Sequence, residues 1–127
     1  MEDVIDTGTF RGFEVQLEDP GIVWVTFNSP ERLNGMTSSI KRDLIEMLNQ
    51  AQMDNGVRII VFIGKGRAFC AGDDLKAYSQ DIQTEPGLVP PVPPGHDNGI
   101  GTYDGLRMMS QELNRTIRAT DKPTIAA

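Results

Sequence analysis

An α/β fold is predicted by three features of the sequence. Phe13, Val15 and Leu17 alternate with Glu14, Gln16 and Glu18, the two-residue period of a strand with one wet face. Ile40, Leu44, Met47, Leu48 and Ala51 recur along one face of a helix. Residues 57–63 are almost wholly apolar and rich in β-branched side chains, which points to a strand covered on both faces. Strand, long helix and covered strand in that order make a βαβ unit, and its crossover is expected to be right-handed.

Each element has its own signals. Asp19-Pro20-Gly21 marks a turn after the first strand. Residues 22–27 read as the second strand, so the two form a hairpin. Asn28, Ser29, Pro30 and Glu31 break it. The helix is expected over residues 38–55, capped by Thr37 or Ser38 and closed by Asp54-Asn55-Gly56. Residues 64–69 form a glycine-bearing loop, and a short helix is expected from near Asp73 to about Ser79. Residues 84–101 contain Glu85-Pro86-Gly87 and Pro90-Pro91-Val92-Pro93-Pro94-Gly95. That composition excludes a regular element and predicts a long, mobile excursion. Helical period returns over residues 103–119 through Leu106, Met109, Leu113 and Ile117, and Asp121-Lys122-Pro123 stops it. Residues 124–127 look like the start of a strand. No turn follows, an unusual terminus, so the chain is expected to be a fragment or one piece of a cleaved protein. The alternative is a short edge strand.

Composition narrows the function. With 127 residues the chain is long enough for one modest domain. A formal net charge of −6 argues against a nucleic-acid partner, which needs clustered Lys and Arg. It leaves room for an anionic ligand held by backbone dipoles. Cys70 is the only cysteine, so no internal disulfide is possible and a reducing compartment fits. No apolar run has the length of a membrane helix. The acidic start Met1-Glu2-Asp3 resembles neither a secretory nor a transit peptide, and the expected location is cytoplasmic. His96 is the single histidine, and no metal site is expected. Cys70 reads as a small buried hydrophobe, because no base lies near it in sequence.

Residues 64–76, Gly-Lys-Gly-Arg-Ala-Phe-Cys-Ala-Gly-Asp-Asp-Leu-Lys, carry the chemistry. A covered strand ends in a glycine loop that runs into a helix start. Unpaired N–H groups there favour anions, whether a phosphate or a developing enolate oxygen. Gly72 permits close approach of a ligand or an unusual φ. The stretch lacks the spacing of a phosphate-cradling Walker loop, which sets aside an unrelated nucleotide-binding domain. Two readings stay open on these residues alone: an anion site, or a helix capped by Asp73 or Asp74.

Phe69-Cys70-Ala71-Gly72-Asp73-Asp74-Leu75-Lys76 resembles the Phe-Cys-Ala-Gly-small-Asp-Leu-Lys motif of the crotonase (enoyl-CoA hydratase/isomerase) superfamily. Asn28-Ser29-Pro30-Glu31-Arg32-Leu33-Asn34-Gly35-Met36 resembles its Asn-Arg-Pro-X-X-Leu-Asn-Ala segment. Asp121-Lys122-Pro123-Thr124-Ile125-Ala126-Ala127 resembles the approach to its Val-Asn-Gly. The three stand in order and at matching spacing over residues 12–127, apart from the Pro-rich excursion.

The resemblance implies a crotonase-like ββα superhelix, of which residues 1–127 would be the N-terminal part, with residues 84–101 as a loop insertion. It implies an acyl-CoA-binding enzyme that stabilises a thioester enolate, most commonly by hydration or isomerisation of an enoyl-CoA. A non-catalytic acyl-CoA-binding or scaffold homologue is the alternative. No cofactor would be permanently bound, since coenzyme A enters with the substrate. Full-length members would form homotrimers or hexamers, with no nucleic-acid or membrane partner. By position, the Asp73 N–H would be one of two oxyanion-hole donors. Arg32 and Leu33 would line the pantetheine path, and the Ala71 backbone would meet the adenine end. Gly72, Asp74, Leu75 and Lys76 would complete the coenzyme A-binding stretch, with Lys76 near a phosphate. The second donor and the acid/base glutamates would lie beyond residue 127, so these residues alone are expected to be inactive. Asp73 departs from the family, which usually has Gly or Ala there. Its carboxylate is expected to point away and cap the helix, to be protonated, or to act as an acid/base group.

Overall fold

The computed structural model describes residues 5–73 and 110–127. Alternation at Phe13, Val15 and Leu17 becomes β2, Phe13–Glu18, which pairs antiparallel with β3, Ile22–Phe27, from Phe13 opposite Phe27 to Glu18 opposite Ile22. A short strand that periodicity does not signal, β1 (Gly8–Thr9), lies outside β2. The hairpin turn has a cis Asp19–Pro20 bond and a left-handed Gly21 with φ 142°. A Cβ on Gly21 would lie 2.5 Å from the Gly56 carbonyl oxygen, so close backbone approach requires glycine here.

Helix α1 spans Ser38–Met53, with the Thr37 hydroxyl accepting from the Ile40 N–H. It ends two residues earlier than its sequence suggests. Asp54 turns extended at the C-cap, where its carboxylate accepts from the N–H groups of Ile5 and Gly56. Strand β4, Ile59–Gly64, starts two residues late: the Val57 N–H is still turned onto the Asp54 carbonyl, and the bond from the Ile59 N–H to the Gly21 carbonyl is the first of its pairing with β3. Gly64 belongs to this strand rather than to the loop. β4 pairs parallel with β3, which makes the βαβ unit, and successive Ile60 and Val61 are both buried. Helix α2 is described over Gln111–Ala119, and β5, Thr124–Ala126, pairs parallel with β4. The sheet order is β1-β2-β3-β4-β5.

Phe13, Val15, Val23, Val25 and Ile60 from the sheet meet Leu44, Leu48 and Ala51 of α1 in one core. Fully burying a side chain such as Leu48 contributes about 1.5–3 kcal/mol. Of the short helix expected from near Asp73 to about Ser79 only Asp73 is described, and it lies in a β-bridge; the rest of it, the 84–101 excursion and the first part of the 103–119 helix lie outside the described residues. Among the described residues, no helix is long and apolar enough to cross a membrane.

Candidate active site

β3 and β4 run parallel, so the loops that follow them leave the same edge of the sheet. That edge, beyond the carboxyl ends of parallel strands, is where open α/β sheets place their ligands. The loop after β3 contains a 3-10 turn, Pro30–Arg32, and then two left-handed residues, Leu33 (φ 53°) and Asn34 (φ 57°). Left-handed backbone is uncommon outside glycine and needs support. Asn34 supplies it. Its Oδ1 accepts from the Ser29 N–H at 3.0 Å, and its amide donates to the carbonyls of Lys65 (3.1 Å) and Ala68 (2.9 Å). Only 2% of Asn34 is exposed.

Backbone bonds join the two loops further along. The Ala71 N–H donates to the Leu33 carbonyl at 3.0 Å, and the Met36 N–H to the Gly72 carbonyl at 2.8 Å. Met36 and Asp73 thereby form an isolated parallel bridge. In a parallel bridge of this sense the backbone groups of Met36 face the partner, and those of Asp73 face away. Among the described residues, the Asp73 N–H donates to no acceptor. Gly72 precedes it at φ +107°, with open space where a Cβ would stand, so backbone conformation rather than room selects glycine.

The Asp73 carboxylate has a partner that sequence reasoning missed. Its Oδ1 lies 2.6 Å from Nζ of Lys41, on the first turn of α1. The Lys41 side chain is 4% exposed, that of Asp73 41%. The Lys41 ammonium also donates to the Ser110 hydroxyl at 2.7 Å. Asn34 was visible in sequence only as a motif letter. Lys41 carried a signal: it lies three residues before Leu44 and seven before Leu48, on the helix face that is buried.

Of the residues expected at the site, Leu33, Ala71, Gly72 and Asp73 come together along the joined loops. Arg32 is exposed at the end of the 3-10 turn. Asp74, Leu75 and Lys76, like His96, lie outside the described residues. Cys70 is only partly buried, and it faces an apolar cavity of about 300 Å³ lined also by Phe27, Met36, Phe62, Phe69 and Leu113. Phe69 meets Phe27 edge-on at 5.4 Å.

The chain is 33% identical over 82 residues to a hydroxycinnamoyl-CoA hydratase-lyase of Pseudomonas fluorescens, covering 65% of this chain and 29% of that protein. It is 31% identical over 109 residues to a 1,2-epoxyphenylacetyl-CoA isomerase of Escherichia coli K12, covering 86% and 37%. It thus spans about a third of the length of the curated relatives it matches. The structure superposes on an enoyl-CoA hydratase of Mycobacterium smegmatis with a TM-score of 0.69 and 25% identity, over 91% of this chain and 38% of that one. The described α/β architecture is therefore of the crotonase type. The sequence profile of enoyl-CoA hydratase/isomerase matches residues 22–127, both joined loops included, and the chain belongs to that family.

Proposed function

We propose that the protein binds an acyl-CoA thioester and stabilises its enolate, as an enzyme of the hydratase or isomerase type. The observation that carries this reading is the Asp73 N–H, turned away from Met36 at the edge where the loops after β3 and β4 meet. A donor held there by a rigid bridge is pre-oriented for an oxyanion, and a bond that strengthens as charge develops lowers the barrier. Gly72 and the Ala71 backbone take the coenzyme A side of the site, Arg32 and Leu33 the pantetheine path, and Asp74, Leu75 and Lys76 its continuation toward a phosphate. The acid/base glutamates and the second donor come from residues outside this chain. The full-length protein works in the cytoplasm on fatty acyl thioesters, as a homotrimer or hexamer.

The test is hydration of a 2-enoyl-CoA by the full-length protein, followed by loss of the conjugated thioester absorbance. Saturable turnover is expected. Tight binding of the thioester without turnover or isomerisation would move the reading to the binding-only alternative. No binding at all would remove both.

A further inference from the structure

We infer that Lys41 is a positioning residue of the oxyanion loop: it neutralises the Asp73 carboxylate and ties the 71–73 segment to the start of α1. The inference rests on the proposed function only for what the loop is used for. An ionised carboxylate on the residue whose N–H grips a forming enolate opposes the charge that must develop. Two features resolve the conflict. The Asp73 carboxylate is drawn onto the Lys41 ammonium at 2.6 Å, and the ammonium is buried and also donates to the Ser110 hydroxyl. The pair therefore presents little net charge to the ligand. It also adds a side-chain tie to the backbone bonds that join Ala71 and Gly72 to Leu33 and Met36. A buried lysine in the first turn of a helix opposes the helix dipole, so helix stability alone does not explain it. Asp73 and Lys41 are complementary choices, each costly without the other.

The experiment compares the wild type, Lys41→Met, Asp73→Asn and the double variant in the full-length protein. The first readout is ligand-free hydrogen exchange at the amides of Met36 and Ala71. The second is the near-ultraviolet enolate band of bound acetoacetyl-CoA, a β-keto thioester that ionises in an oxyanion hole. Lys41→Met is expected to speed exchange at both amides and to weaken enolate binding by on the order of tenfold to a hundredfold. The double variant is expected to recover most of both losses, because removing the carboxylate removes the need for its counter-ion. A purely packing role for Lys41 predicts no such recovery. A single variant that behaves as the wild type overturns the inference, as does a double variant no better than Lys41→Met. If Lys41→Met does not fold, a folded double variant supports the inference and an unfolded one overturns it. A wild type that binds no acetoacetyl-CoA refutes the functional reading instead, and exchange in the ligand-free protein still decides the role of Lys41.

Discussion

The two ends of α1 handle charge in opposite ways. At the C-terminal end, Lys122 reaches back from beyond α2 to the carbonyls of Ala51 and Asp54. A cation on the last carbonyls agrees with the helix dipole and satisfies acceptors that the helix leaves open. Asp54 does the complementary work there, taking the N–H groups of Ile5 and Gly56. At the N-terminal end the cation is Lys41, set against the dipole and buried. Beside it the Ser38 hydroxyl is buried with no hydrogen-bond partner among the described residues. One end of the helix is arranged for stability. The other carries groups that cost stability, and it is the end that faces the loops after β3 and β4.

The contrast is open to attack by mutation. Asn34→Ala removes the hub between the two loops and strands one N–H and two carbonyls, so a loss of about 3–4 kcal/mol is expected. Urea unfolding measures it, and exchange at Lys65 and Ala71 should rise in the same variant. A loss under about 1 kcal/mol would mean that the loops hold together without Asn34. Asp54→Ala, at the opposite end, strands the N–H groups of Ile5 and Gly56 and is expected to cost about 2–3 kcal/mol. Thioester affinity per folded molecule should not move; a parallel fall in affinity would erase the distinction between the ends. Lys122→Met gives up the cation at the helix C-terminus, for which about 1 kcal/mol is expected at low salt and less at high salt. An effect indifferent to salt would point to lost packing instead. Ser38→Ala should leave stability unchanged or raise it by up to about 1 kcal/mol, since it removes a buried hydroxyl that bonds to nothing described. Clear destabilisation in the denaturant midpoint would show that the hydroxyl has a partner.

Much of the described fold was legible in sequence. Ile40, Leu44, Met47, Leu48 and Ala51 were read as one helix face, and all five are buried. The two hairpin strands were read at residues 13–18 and 22–27, where they are found, and residues 124–127 were read as the start of a strand, though not its pairing with β4. Misreadings fell at boundaries. Asp54 ends α1 with its side chain, and its carbonyl holds the Val57 N–H in the turn, so β4 begins only at Ile59. At the site, the motif letters located the joined loops, and of the two options read for Gly72, close approach of a ligand or an unusual φ, its φ of +107° bears out the second. The fate of the Asp73 carboxylate was not legible. Capping, protonation and acid/base action were the options in view, and the ion pair with Lys41 was none of them.

Local periodicity determined the elements, because whether a residue faces the core depends on neighbours two to four positions away. Loop chemistry at Asn28–Met36 and at residues 64–73 pointed to the segments of the candidate site and, by resemblance, to the family. Tertiary structure alone decided the partners. Asn34 meets a carbonyl 31 residues away, and Lys122 meets one 71 residues away. Lys41 finds Asp73 only because β4 returns the chain to the edge where α1 begins. Such choices depend on distance in space and on which charges are deprived of water, and a linear pattern of residues encodes neither directly.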